Sequence, residues 1–247
     1  MSRASVIFKR IGRLVKFLIF CLIFTICILL IWRVSSTGIP KEIEDLQIND
    51  RLTAAYSREG EELYVFNQVY DNITRADRNA GYFGIPEAEF IPGANQAQIV
   101  FRYNNSTIKA LSEDYSLSSV PSRDQELFDV SLVLYIDLTP NDKEDNYEKD
   151  DSVVKTVRLH PVSRSEKADS TLYNFYRYTF DFGAGDEPIV LSELIESGNL
   201  IAIHTEIRYL GDLDYTKDAY GALCIYDYRR ENIPVKLSKN ELTAFGG

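Results

Sequence analysis

Between Phe17 and Trp32 the chain runs for sixteen residues with Thr25 as the one break in an otherwise apolar stretch. As a helix that stretch rises about 24 Å at roughly 1.5 Å per residue. It exceeds the core of an ordinary signal peptide, about 7 to 15 residues. Leu14, Val15 and Val34 extend it to about 31 Å when Lys16 and Arg33 turn their charges towards the interface, matching a hydrocarbon core of about 30 Å. A transmembrane signal-anchor helix is therefore expected over 14–34, and the rest of the chain must fold as a separate unit.

Five cations, Arg3, Lys9, Arg10, Arg13 and Lys16, precede the span with no acidic residue among them, whereas only Arg33 stands beyond it before the mixed-charge "KEIED". Positive charge stays on the cytoplasmic side. Residues 1–13 then form a cytoplasmic basic tail, and 51–247 an extracytoplasmic domain of a single-pass plasma-membrane protein. "SSTGIPKEIEDLQIND", residues 35–50, is small, polar and Pro-containing, and reads as a stalk. The alternative is a cleaved signal peptide: Val34 and Ser36 before Thr37 make an acceptable small-residue site, which would release a secreted form. A lipoprotein site at Cys21 is disfavoured by the bulky Phe20 before it.

Residues 34–247 carry 21 basic and 37 acidic side chains, a net charge of −16. A nucleic-acid surface needs clustered cations to release counterions, so nucleic acid is excluded as a partner of this part. Cys21 and Cys27 fall inside the span and leave Cys224 alone beyond it, so no disulfide within the domain is expected. Cys224, in the alternating run "ALCIYDY", reads as a small buried hydrophobe. Sequons at Asn72, Asn104 and Asn105 have meaning only in a eukaryotic secretory pathway.

Beyond the stalk the pattern is strand-like. "DVSLVLYIDL" (129–138) puts Val130, Leu132, Leu134, Ile136 and Leu138 on one face and Val133 and Tyr135 on the other, as a central strand covered on both sides does. "LYNFYRYTFDF" (172–182) separates Leu172, Tyr176, Tyr178, Phe180 and Phe182 from Arg177, Thr179 and Asp181. "NLIAIHTEIRYL" (199–210) places Ile201, Ile203, Ile207 and Tyr209 inward and His204, Glu206 and Arg208 outward. Weaker strands fit 52–57, 62–70, 97–104, 152–160, 221–228 and 233–238. Helical spacing is confined to 106–117, with Ser106 as cap, and to "LSELIES" before the stop at Gly198. Many short strands with few helices predict a mainly β domain: an antiparallel β-sandwich or open barrel with one or two short helices, preceded by the single transmembrane helix. The segment 139–151, "TPNDKEDNYEKDD", is expected as an exposed charged connection.

No chemical motif survives comparison with chance. Two histidines, His160 and His204, and one cysteine do not assemble a zinc site. His204 with Glu206 reads as a cross-strand polar row. EF-hand registers begun at Asp142 or Asp212 lack the required glycine and glutamate, which leaves only irregular calcium sites in the 139–151 or 211–218 loops. Ser106-Thr-Ile-Lys109 matches S-x-x-K without the K-T-G that should follow. Asp212-Leu213-Asp214 resembles the metal-binding D-x-D of Golgi glycosyltransferases, but the long helices of their nucleotide-binding domain are missing. Tyr173 and Phe175 lie opposite the inferred core; exposed, they would suit sugar or peptide binding, and with both sheet faces covered they are core. No catalytic, cofactor or metal residue is assigned. The expected function is a membrane-anchored, non-enzymatic interaction or accessory module with a protein or glycan ligand, and the alternative is a carboxylate-dependent hydrolase or transferase acting on glycans.

Overall fold

The computed structural model describes residues 3–56, 63–66, 70–72, 83–138, 154–184, 188–227 and 235–237. Helix α1 (Arg3–Thr37) contains the span. Its segment Val15–Arg33 has a mean hydropathy of 2.8 and contains no buried residue, with Phe17 64% and Ile31 67% exposed. A core helix of that composition would be covered by its own fold. This one is long and apolar enough to span a membrane.

The remainder is mainly antiparallel β, in two sheets. Helix α2 (Asp50–Tyr56) precedes strands β1 (Leu63–Phe66), β2 (Tyr70–Asn72), β3 (Phe83–Ile91) and β4 (Gln96–Asn104). Helix α3 (Asn105–Asp114) leads to β5 (Phe128–Asp137), β6 (Val154–Leu159), β7 (Ser163–Arg164), β8 (Ala168–Asp169) and β9 (Tyr173–Asp181). Helix α4 (Leu191–Glu196), β10 (Leu200–Tyr209), β11 (Gly221–Asp227) and β12 (Val235–Leu237) follow. One sheet has the order β12-β1-β3-β4-β9-β7, with β8 also on β9; the other is β2-β11-β10-β5-β6.

The core lies between the sheets, formed by the inward faces of both. Ile99, Phe101 and Tyr103 of β4 and Tyr176, Tyr178 and Phe180 of β9 meet Val130, Leu132 and Leu134 of β5 and Ile203 and Ile207 of β10. Aromatic rings dominate one end: Phe128 stands edge-on to Phe83 at 5.1 Å and to Tyr103 at 5.0 Å. Such pairs add about 0.5–1.5 kcal/mol beyond the area they bury. Leu138 and Leu172, expected on inward faces, are instead 57% and 39% exposed just past the ends of their strands.

Two local expectations are corrected by the structure, and one strand is added to them. Of the expected strand 52–57, residues 52–56 are helical in α2 and residue 57 lies outside the described residues; Leu52 and Ala55, three apart, pack together on Ile91 and Ala94, and the Asn49 carboxamide oxygen accepts from Leu52 N at 3.0 Å as a cap. Helix α3 is capped by Asn104, not Ser106: Asn104 Oδ1 accepts from Thr107 N at 3.0 Å while Thr107 Oγ1 accepts from Asn104 N at 3.3 Å. Strand β3 escaped the pattern because its register on β4 shifts between Gly84 and Glu87, around Pro86. Inward residues therefore change phase, from Phe83 and Ile85 to Ala88 and Phe90, and a period of two breaks in mid-strand. Gly198, with φ of 68°, ends α4 as expected.

The expected stalk also takes a defined place. Residues 39–55 lie across the outer face of the first sheet. Ile43 joins Val100, Ala168 and Phe175, with Ile39 and Tyr173 against them, so Phe175 is covered on that face. Polar pairs run alongside. Gln47 N donates to Gln98 Oε1 at 2.7 Å and Gln98 Nε2 returns to Gln47 O at 2.8 Å. Asn49 Nδ2 donates to Gln96 Oε1 at 2.9 Å, and Arg51 pairs with Asp181 at 2.5 Å. At the centre is Arg177, whose side chain is wholly buried. Its Nε donates to Ile43 O at 2.9 Å and one terminal nitrogen to Glu44 O at 2.7 Å; the guanidinium also pairs with Glu87 at 2.6 Å and with Glu89.

Two carboxylates share that one cation. Burial pushes the Glu89 carboxyl up to about 7, with the neighbouring Glu87 adding to the rise and Arg177 opposing it. Replacing Arg177 with Met strands both acids and two carbonyls, and is expected to lower unfolding free energy by about 3–5 kcal/mol in urea titrations of the detergent-solubilised chain. The folded-state value of Glu89 lies above its ordinary 4.5, so its contribution is full below about pH 4.5 and is lost as pH rises through 7. Glu89→Gln should therefore be close to neutral at pH 4.5 and more stable than the parent at pH 8, which thermal melts across that range will read.

Candidate functional site

The residues singled out in the sequence are scattered by the fold. His204 packs at a tilt against Tyr135 with 4.8 Å between ring centroids, and His160 meets Tyr215 edge to face at 5.2 Å. Cys224 is fully buried, its Sγ 3.4 Å from Tyr226 O. Ser106 is exposed on the first turn of α3, where Lys109 faces Glu113 at 3.9 Å. Among the described residues no group of three or more His, Cys, Asp or Glu side chains is placed to hold a metal ion. The 139–151 segment lies outside the described residues. Glu206 accepts from Arg158 at 2.7 Å and from Arg208 at 2.9 Å.

What the fold brings together instead is a cavity of about 350 Å³ at one end of the sandwich, between the end of α3, the end of β10 and the segment 210–220. Three tyrosines line it. Tyr220 is rooted in the core against Phe83 at 5.9 Å, and its hydroxyl emerges to donate to Asp114 Oδ2 at 3.0 Å. Tyr115, just past α3, has its ring 4.8 Å from Tyr209 and 5.7 Å from Tyr220. Gly211 lies close beside them, and a Cβ there would clash with the outer end of the Tyr209 ring.

The floor is Arg208, 4% exposed. One terminal nitrogen donates to the carbonyls of Asp214 and Lys217, both at 2.7 Å, and so fixes the loop's course. Tyr215 clamps the same loop from outside. Its ring lies 5.2 Å from the Arg208 guanidinium and 5.5 Å from that of Arg158, and its hydroxyl donates to Asp129 Oδ2 at 3.0 Å. The Arg208 Nε–H has no acceptor among the described residues.

Four carboxylates surround the cavity, Asp114, Asp212, Asp214 and Asp218, against the two cations Arg208 and Lys217. Lys217 Nζ bridges Asp212 at 3.1 Å and Asp214 at 3.6 Å, and the hydrogen bond to Asp212 raises its pKa above the usual lysine value. Asp214 is held below the ordinary carboxylate range chiefly by the Thr216 hydroxyl at 2.6 Å, then by Thr216 N at 2.9 Å. The D-x-D pair is thus engaged with a cation of its own loop. The set offers charged acceptors and aromatic walls, which is equipment for binding a hydrogen-bonding ligand.

The sequence carried no local signal for this convergence: Tyr115, Tyr209 and Tyr220 come from three segments, and their spacing matches no motif. A second, smaller cavity of about 290 Å³ lies beside Phe128, Tyr178 and Leu210. No protein-family model, curated protein or solved structure matches the chain. Removing the clamp by Tyr215→Ala should raise hydrogen exchange of amides 214–218 by about tenfold, while global stability falls by only about 1–2 kcal/mol.

Proposed function

We propose that this chain is a single-pass membrane protein with a cytoplasmic N-terminus, whose extracytoplasmic β domain is a non-enzymatic interaction or accessory module held at the plasma-membrane surface. The observation that carries this reading is the packing of residues 39–55 on the first sheet. Only Gly38 and Ile39 separate the end of α1 from Pro40, a span of at most about 11 Å. The domain is therefore tethered closely, so its ligand-facing surfaces are concentrated near the bilayer. The cations ahead of the span and the acidic excess beyond it support the orientation.

The alternative of a carboxylate-dependent glycan hydrolase draws no support from the cavity. A general acid needs a carboxyl held up towards neutrality. Glu89, which is so held, lies under the strap and does not line the cavity, whereas Asp214, which does, is held low.

The decisive test combines the mass of the N-terminal peptide from carbonate-washed membranes with protease treatment of intact cells. An intact N-terminus, and cleavage of the domain from outside, are expected. A new N-terminus near Thr37, or full protection of the domain, would overturn the anchored reading.

A further inference from the structure

We infer that the end of the first sheet nearest α1, made of the turn 170–172 and the loop 117–123, rests on the lipid bilayer and inserts Val120 and Leu172 into its headgroup layer. This inference rests on the anchored reading of α1, and adds a surface by which the domain itself meets the membrane.

The length of chain between the span and the fold sets the position. From Val34 to the end of α1 at Thr37 a helix rises about 4.5 Å. Ile39 follows at most about 7 Å further on and packs, with Tyr173, against the cluster of Ile43 and Phe175. That cluster therefore starts within about 12 Å of the hydrocarbon edge, where the headgroup layer fills about the first 5–7 Å. The strap then runs along β9: Ile43 joins Phe175, the Gln47 carboxamide oxygen accepts from Thr179 Oγ1 at 2.9 Å, and Arg51 reaches Asp181. The Tyr173 end of β9 is thus the near end, and the Asp181 end lies about 26 Å along the strand from it.

Two exposed apolar side chains stand at the near end. Leu172, one residue before β9, is 39% exposed and Val120 is 61% exposed. Arg123 ties their segments together: one terminal nitrogen donates to Ser170 O at 2.8 Å and to Tyr173 O at 3.0 Å, and the Asn174 carboxamide donates back to Arg123 O at 3.1 Å. Single apolar side chains on a surface call for no explanation. These two share the end that the tether holds against the bilayer. Tyr173 stands beside Leu172 with the Arg102 guanidinium 4.5 Å from its ring centroid, an amphipathic pair of the kind that sits at a membrane interface. The neighbouring cations are matched, Arg123 facing Asp169 at 3.8 Å and Lys167 pairing with Asp124 at 2.8 Å and Asp169 at 3.1 Å. Contact is therefore apolar, and a zwitterionic lipid is the fitting partner, since the acidic excess of residues 34–247 opposes an anionic one.

The test reads nitroxide depth by electron paramagnetic resonance on the full chain in phosphatidylcholine nanodiscs. Single labels are placed by Val120→Cys, by Leu172→Cys and, beside the far end of β9, by Val190→Cys, with Cys21 and Cys27 replaced by alanine and the fully buried Cys224 kept. Val190, 46% exposed, controls for apolar exposure alone. A fourth label, on Cys27 with Cys21→Ala, reads the span. Collision with a water-soluble nickel chelate should be about threefold lower at Val120 and Leu172 than at Val190, and lowest at Cys27, because the headgroup layer and hydrocarbon exclude the chelate. Adding Val120→Asp should raise chelate access at the Leu172 label about twofold by lifting the rim, whereas Ile48→Asp, at a 73% exposed residue of the strap, should leave it unchanged. Circular dichroism of both should match the parent. Rim labels as open as Val190 beside a buried Cys27, or a Val120→Asp effect no larger than that of Ile48→Asp, would overturn the rim alone. A Cys27 label open to the chelate would overturn the anchored reading and the rim with it.

Discussion

A single guanidinium on the wrong side of a sheet organises this protein. Arg177 points away from the sandwich core, yet is fully buried, and a buried cation is tolerated only when every side of it is answered. Glu87 and Glu89 answer it from β3, and the carbonyls of Ile43 and Glu44 answer it from the strap. The strap therefore has a definite seat. With it in place, the flanking Gln47–Gln98 pair and the apolar contact of Ile43 with Phe175 follow as further closures of the same face. The long apolar helix is thereby followed by a segment that is bound to the fold.

That arrangement gives the first sheet two covered faces of different character. The inner one is a hydrophobic and aromatic core shared with the second sheet, and the outer one is a mixed polar seam. The second sheet uses the same device at smaller scale. Arg158, Arg208 and Glu206 project from its outer face, and Tyr215 folds over the two arginines to pin the loop that frames the cavity. In both places a buried or half-buried arginine on an outward face recruits an irregular segment by its carbonyls, since its five donors outnumber what strand neighbours can accept. In the second, the Arg208 Nε–H is left buried with no acceptor among the described residues.

Strands with unbroken alternation were legible in the sequence: β5 and β9 present the faces their patterns imply, whereas the register of β10 shifts at Ile201 and again between Ile203 and His204, so Leu200 rather than the expected Ile201 joins the core. Strand β3 was not, because Pro86 and the adjoining shift in register change its phase, and because Glu87 and Glu89 look solvent-facing until Arg177 is placed across from them. Helix α2 was misread because "RLTAAY" fits either period, and only the patch formed by Ile91 and Ala94 selects the helical one. The cavity was invisible for a related reason. Its tyrosines and Arg208 acquire meaning from proximity between segments about a hundred residues apart in the chain, whereas the triplet that did stand out, Asp212-Leu213-Asp214, is occupied by Lys217.

By itself the sequence determined the apolar helix, the acidic excess beyond it, the absence of cysteine pairing in the domain and the mainly antiparallel β class, because hydropathy, charge and a period of two are local or additive properties. Tertiary structure alone decided that the stalk is a strap, that Phe175 is core, and that three tyrosines and an arginine face one cavity. Each of these depends on which partner a buried polar group finds, and partners distant in the chain are chosen only when the sheets close and water is excluded.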